Sequence, residues 1–185
     1  MLLSWRSEYK YFLVLIFFFF FAGCQKDFSG ERVLFDFESE EELDKLNWSC
    51  YTVYSLSDRY FSHGSKSLKL EMYPAEYPGL SISLREKDWS GFRNFCFNIY
   101  NPETSEIQIS MRIDDLKNYP EYADRYNQKF TLATGFNQIC IPFNSLMTSG
   151  TKRQLKLGTI YRLMIFRSHP QEKTVLFVDY LRLVI

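Results

Sequence analysis

The chain has 185 residues, 22 basic and 22 acidic side chains, and 18% aromatic residues. Such a balance supplies no general cationic surface to release counterions from a phosphate backbone, which argues against a nucleic-acid partner. Few alanines and many aromatic residues favour a β-rich interior over a helical one.

The first element is a signal segment. Arg6 and Lys10 precede the apolar run Phe12 to Phe21, and the small pair Ala22-Gly23 follows before Cys24. A basic start, a short apolar run and a small-residue cleavage site are what the export machinery reads. The run is shorter than the roughly 20 residues of a permanent transmembrane helix. Phe21-Ala22-Gly23-Cys24 resembles the bacterial lipobox, with Phe21 in place of the usual leucine. That resemblance implies cleavage before Cys24, a diacylglyceryl thioether on its thiol and usually an acyl chain such as palmitate on its amine. Two or more such anchors hold a protein stably on a membrane. Gln25 is not the aspartate that retains many such proteins in the inner membrane, so an outer-membrane, cell-envelope location is favoured over an inner-membrane one. The expected division is a signal peptide over 1–23, a lipidated cysteine and polar tether over 24–32, and one domain over 33–185. Removing 1–23 leaves about 160 residues, enough for one full core and too few for two.

From Val33 onward, short alternating segments recur between turn signals. Val33 to Glu38 sets Phe35 and Phe37 on one face and Asp36 and Glu38 on the other, the period of a half-buried strand. Glu40 to Leu46 reads as one acidic helical turn. Strands are expected over Ser67 to Tyr73, Leu80 to Leu84, Phe95 to Tyr100, Ile107 to Ile113, Lys129 to Leu132, Asn137 to Pro142, Leu163 to Phe166 and Val175 to Val184. Further helical turns are expected near Ser145 and Thr159. Many short strands at even spacing predict an all-β, antiparallel β-sandwich. Cys96 and Cys140 each lie between core-type residues and point away from the apolar side of their strands. They pair if those strands are neighbours; otherwise Cys50, Cys96 and Cys140 are all unbridged thiols. No Cys/His spacing points to zinc or redox chemistry. Trp89, in the turn before Phe95, is expected in core or edge packing, as is Trp48.

Taken in order, Phe35-Asp36-Phe37-Glu38, His63-Gly64-Ser65-Lys66-Ser67-Leu68, Asp88-Trp89-Ser90-Gly91-Phe92, Arg112-Ile113-Asp114-Asp115, Asp124-Arg125-Tyr126-Asn127, Gly135-Phe136-Asn137-Gln138-Ile139 and Phe177 to Leu183 resemble the galactose-binding-like jelly-roll domains. Those domains include many bacterial carbohydrate-binding modules and the complex I assembly factors. The resemblance implies a jelly roll over nearly the whole exported part. It also implies a structural calcium ion held by Glu38, Asp179 and Asp36 with carbonyls near Gly64 and Lys66. Calcium takes six to eight oxygen ligands; the competing expectation is that Glu38 and Asp179 are ordinary strand residues in ion pairs.

A second constellation lies on solvent-side strand positions and the loop after them. Arg112, Asp114, Asp124, Arg125 and Asn127 can hydrogen-bond sugar hydroxyls, and Tyr119, Tyr122 and Tyr126 offer planar, amphipathic rings for pyranose faces. These eight residues are the expected ligand-binding set. The alternative is a charge network, Arg112 with Asp114 and Asp124 with Arg125, that only fixes the loop. Adjacent Asp114 and Asp115 point to opposite faces of a strand, so the carboxylate pair of a glycosidase is not assembled from them. With no nucleophile elbow, P-loop or dinucleotide fingerprint, the chain reads as non-enzymatic. The expected partners are a membrane and either a glycan or, on the assembly-factor alternative, an envelope protein; a polysaccharide-cleaving enzyme ranks below both.

Overall fold

The computed structural model describes residues 30–185. The signal segment, Cys24 and most of the expected tether lie outside the described residues. Among the described residues, eleven strands build two antiparallel sheets. One sheet runs β3 (Thr52–Ser57), β4 (Ser67–Met72), β11 (Thr174–Val184), β6 (Asn94–Asn101) and β9 (Gly135–Pro142), with β1 (Glu31–Phe35) also paired to β11. The other runs β2 (Leu46–Cys50), β5 (Gly79–Ser83), β10 (Arg162–Phe166), β7 (Ile107–Asp114) and β8 (Tyr126–Leu132). The expected β-sandwich is therefore the fold. Short 3-10 turns occupy Glu40–Lys45, Phe143–Ser145 and Leu157–Thr159, as the sequence predicts, and a further one spans Tyr122–Asp124.

Alternation decides what each sheet buries. Leu68, Leu70 and Met72 of β4, with Phe95, Phe97 and Ile99 of β6, face Ile109, Met111 and Ile113 of β7 and Leu163 and Ile165 of β10 across one core. Trp89 is fully buried, stacked on Phe95 and Phe143 at ring-centroid distances of 5.3 and 5.7 Å. The long strand β11 organises the first sheet: its start pairs with β4, its end with β1, and its other edge with β6. A bulge between Asp179 and Arg182, with Tyr180 at φ 52°, shifts the phase by one residue. Leu176 and Val178 before it and Leu181 and Leu183 after it thereby all reach the core.

Strands β2 and β3 were not expected. Both lie at sheet edges, joined at Tyr51 with φ 43°, and β3 leaves Val53 and Ser55 exposed, so its pattern is too polar to stand out. The opening strand also begins at Glu31, two residues before the expected domain start. Cys96 and Cys140 lie directly opposite one another on β6 and β9 and form a disulfide, resolving that alternative; among the described residues Cys50 is the free thiol. The bond closes a segment of 44 residues. Loop-closure entropy of that size stabilises by about 4 kcal/mol. Reduction, or the pair Cys96→Ala and Cys140→Ala, is expected to lower the thermal midpoint by an amount consistent with that figure. A non-reducing peptide map should join the two cysteine peptides, and an unchanged midpoint would contradict the assignment.

Candidate functional site: a cleft on the outer face of one sheet

Residues of β10, β7 and β8 form the floor of a cleft of about 500 Å³. Register places Arg112 of β7 between Met164 of β10 and Asn127 of β8, and Ser110 between Phe166 and Lys129. Tyr122 and Arg125 wall one side, from the loop before β8, while Tyr77 and Ser168 wall the other. Both tyrosines are exposed, 63% for Tyr122 and 44% for Tyr77. Tyr77 stands edge-on to Phe166 with ring centroids 6.1 Å apart, and Arg125 lies over the Tyr122 ring at 5.2 Å.

Beneath one end lies Asp114, with no exposed surface. Arg112 Nε and Nη2 donate to its two carboxylate oxygens at 2.7 Å each, and Arg162 Nη1 donates to Oδ2 at 2.6 Å. Two guanidiniums held by one carboxylate cannot rotate freely, and the fork geometry fixes their planes. Tyr119 covers this cluster, its ring 4.0 Å from the Arg162 guanidinium and 5.9 Å from that of Arg112. The expected Arg112–Asp114 pairing is present, and Arg162 is a member that sequence spacing did not reveal. Arg125 has no such partner: its Nε is buried without a hydrogen bond. Burial, followed by the neighbouring charge of Arg112, holds the Arg125 guanidinium below the ordinary arginine range.

Of the eight expected ligand-binding residues, Arg112, Tyr122, Arg125 and Asn127 line the cleft. Asp114 lies behind it and Tyr119 beside it. Tyr126 departs from expectation: alternation turns it inward, it is 3% exposed, and its hydroxyl donates to Gln128. Burial raises its hydroxyl above the ordinary tyrosine range. Asp124 also serves elsewhere, accepting from Arg153 Nε at 3.0 Å rather than pairing with Arg125. The same Arg153 makes a bidentate contact with buried Asp115 at 2.6 and 3.0 Å, and Lys156 N–H donates to Asp115 as well. Burial acts to raise Asp115, but the bonds from Arg153 and Lys156 outweigh it and hold the carboxyl below the usual aspartate range. Its bond to Asp115, against the effect of burial, keeps Arg153 above its own ordinary range. This triad ties the Tyr122 loop to residues 148–156, where Gly150 N–H also donates to Ala123. Tyr77, Ser110, Lys129, Met164 and Phe166 were not anticipated, because they come from a turn and strands whose neighbours the sequence does not name.

The calcium ligands expected from resemblance do not come together. Glu38 receives the N–H groups of Ser65 and Lys66 and the Ser65 hydroxyl, each at 2.8 Å. The Ser65 N–H bond in particular holds Glu38 below the usual glutamate range. Gly64 makes this seat possible: at φ 61°, a Cβ there would lie 2.3 Å from Glu38 Oε1. Asp179 accepts from Ser62 N–H at 2.6 Å, His63 N–H at 2.9 Å and the Tyr180 N–H. Asp36 lies instead beside His63, 3.9 Å from its Nδ1. Hydrogen-bond donors therefore face Glu38 and Asp179 where a cation would need carbonyl oxygens, and among the described residues no group of three His, Cys, Asp or Glu is placed to hold a metal ion.

No protein-family model and no curated protein matches the sequence. Solved structures do match the fold. A family 11 carbohydrate-binding module from Clostridium thermocellum, in complex with a β-1,3-1,4-mixed-linked tetrasaccharide, aligns with a TM-score of 0.66 at 20% identity, over 84% of this chain and 95% of that one. The xylan-binding domain of family 22 aligns at 0.53 and 12% identity, over 85% and 96%. An exo-β-agarase aligns at 0.66 and 17% identity over 82% of this chain, which spans only 25% of the enzyme. The chain thus has the jelly-roll sandwich found in carbohydrate-binding modules.

Two outcomes test this geometry. A calcium chelator is expected to leave the thermal midpoint unaltered, and a marked fall would restore a metal at Glu38 and Asp179. For Asp115 the folded carboxyl binds its proton less tightly than the unfolded one, so its stabilisation is complete above the unfolded aspartate value of about 3.9 and is lost as pH falls through the folded value. Asp115→Asn should cost about 2 kcal/mol near neutrality, because the charge-assisted bonds from Arg153 to Asp115 are lost while its bond to Asp124 remains. Its stability should also fall less steeply in acid than that of the parent, and parallel acid profiles would contradict the pairing.

Proposed function

We propose that the protein is an exported, lipid-anchored, non-catalytic module that binds a glycan in the cleft between Tyr122 and Tyr77. The observation that carries this reading is the cleft itself, a floor of rigidly paired guanidinium, amide and hydroxyl groups between two exposed tyrosine rings. Planar aromatics take pyranose faces, while fixed polar groups hydrogen-bond hydroxyls. The fold shared with modules whose structures are described with a mixed-linked tetrasaccharide or as xylan-binding supports the same direction. A non-catalytic role is supported by the ties of the nearby carboxylates: Asp114 is bound to Arg112 and Arg162, and Asp115 and Asp124 to Arg153. The alternative of a protein-docking module calls for a broad apolar patch on this face, whereas in the cleft three cationic side chains interrupt the apolar surface of Met164 and Phe166.

The anchoring part of the proposal rests on the signal segment and Cys24. The Cys96–Cys140 disulfide is in keeping with an oxidising destination. The mature protein then comprises Cys24, a short tether that ends before Glu31 and the sandwich, held at the envelope with the outer membrane favoured. Mass spectrometry of the membrane fraction should find an acylated N-terminal Cys24.

Affinity electrophoresis of the soluble domain against β-glucan, xylan, agarose and acidic polysaccharides is expected to reveal retardation by at least one. Tyr122→Ala should weaken that binding about tenfold through loss of ring contact, with an unchanged thermal midpoint. Failure to bind any polysaccharide would overturn the proposal.

A further inference from the structure

The charges around the cleft are unequal. Arg112, Arg125 and Lys129 line it, and among the described residues no carboxylate does. Arg162 adds a fourth cation at the same end through its bond to Asp114. Against these stand Asp114, whose charge is shared between Arg112 and Arg162, and Glu121, whose field reaches Arg125 without a hydrogen bond to it. The neighbourhood therefore carries an excess of positive charge, although the chain as a whole is neutral.

Arg125 concentrates that excess. Its Nε is buried and has no hydrogen-bond partner, whereas the guanidiniums of Arg112, Arg162 and Arg153 are all bound to carboxylates. A buried N–H donor of a charged group costs free energy unless something accepts from it. An oxyanion seated between Arg125 and Arg112 accepts from the part of the Arg125 guanidinium that lines the cleft and relieves the repulsion between the two cations. Neutral hydroxyls supply the acceptor alone.

Resting on the glycan-binding reading above, we infer that the cleft selects an acidic saccharide, a hexopyranose chain whose carboxylate or sulfate group is held by Arg125 and Arg112. The guanidinium fork matches either oxyanion bidentately. Tyr122, already under the Arg125 guanidinium at 5.2 Å, lies where the ring bearing that oxyanion would rest. Asn127 and Ser110 remain for hydroxyls, and Lys129 stands at the outer edge for a second charge along the chain.

The test compares polymers that share a backbone and differ in charge: polygalacturonate with its methyl ester, and carrageenan with its desulfated form. Titration calorimetry and affinity electrophoresis should give at least about tenfold tighter binding to the acidic member of a pair, weakening as salt rises. The pair that responds distinguishes carboxylate from sulfate. Arg125→Gln should abolish the preference without lowering the thermal midpoint, and Lys129→Gln, at an exposed edge position that folding does not need, should reduce it. Equal binding of charged and uncharged partners, or binding of neutral glucan alone, would overturn the inference while leaving glycan binding intact. Equal binding of polyglutamate would reduce the site to a cationic surface, and no binding of any polymer would remove both readings.

Discussion

The buried carboxylate of Asp114 is the constraint on which the recognition face depends. It accepts three short hydrogen bonds from two arginines on adjacent strands, and so converts two flexible side chains into a fixed platform. A charge with no access to solvent is tolerated only because both its oxygens are taken. Arg112 and Arg162 sit two residues from alignment across β7 and β10, a distance that the antiparallel register sets. The core determines that register, since a slip of one residue would turn Ile109, Met111 and Ile113 outward and the arginines inward. Packing inside the sandwich and chemistry outside it are thus consequences of the same alignment.

The two sheets divide the work. The sheet centred on β11 closes the ends of the domain, through the bulge at Tyr180, the disulfide between β6 and β9, and the carboxylates of Glu38 and Asp179 that fasten the 58–66 loop. The sheet centred on β10 and β7 carries the cleft. Its loop walls are held by Arg153, which bridges Asp115 and Asp124, so that Tyr122 and Arg125 stand on a segment with little freedom to move. Preorganisation of this kind reduces the entropy lost on binding a flexible saccharide.

Much of the fold was legible in the sequence because one-sided burial imposes strict alternation. Phe95, Phe97 and Ile99, or Ile107 to Ile113, have no other arrangement that hides them all. Strands β2 and β3 escaped because edge strands need not alternate so cleanly, and Val53 is 54% exposed. Half of the expected ligand set lines the cleft, since residues on one strand or one loop can be placed by periodicity alone. What periodicity cannot supply is the identity of neighbours. Arg153 reaches Asp115 from 38 residues away, and Arg162 reaches Asp114 from 48. Tyr126 was misjudged for a related reason: it follows the loop directly, but it is the first residue of β8 and takes the inward phase. The neutral composition likewise concealed the local surplus of positive charge, which arises only when the strands are assembled.

The account centres on a saccharide lodged between Tyr122 and Tyr77 over the arginine platform. Heteronuclear NMR of the arginine side chains during titration with an oligosaccharide reads this directly. Shifts concentrated in the Nε–Hε signals of Arg125 and Arg112 and in the Tyr122 ring are the predicted result. Shifts confined to the opposite sheet, around Tyr100 and Phe136, would contradict it.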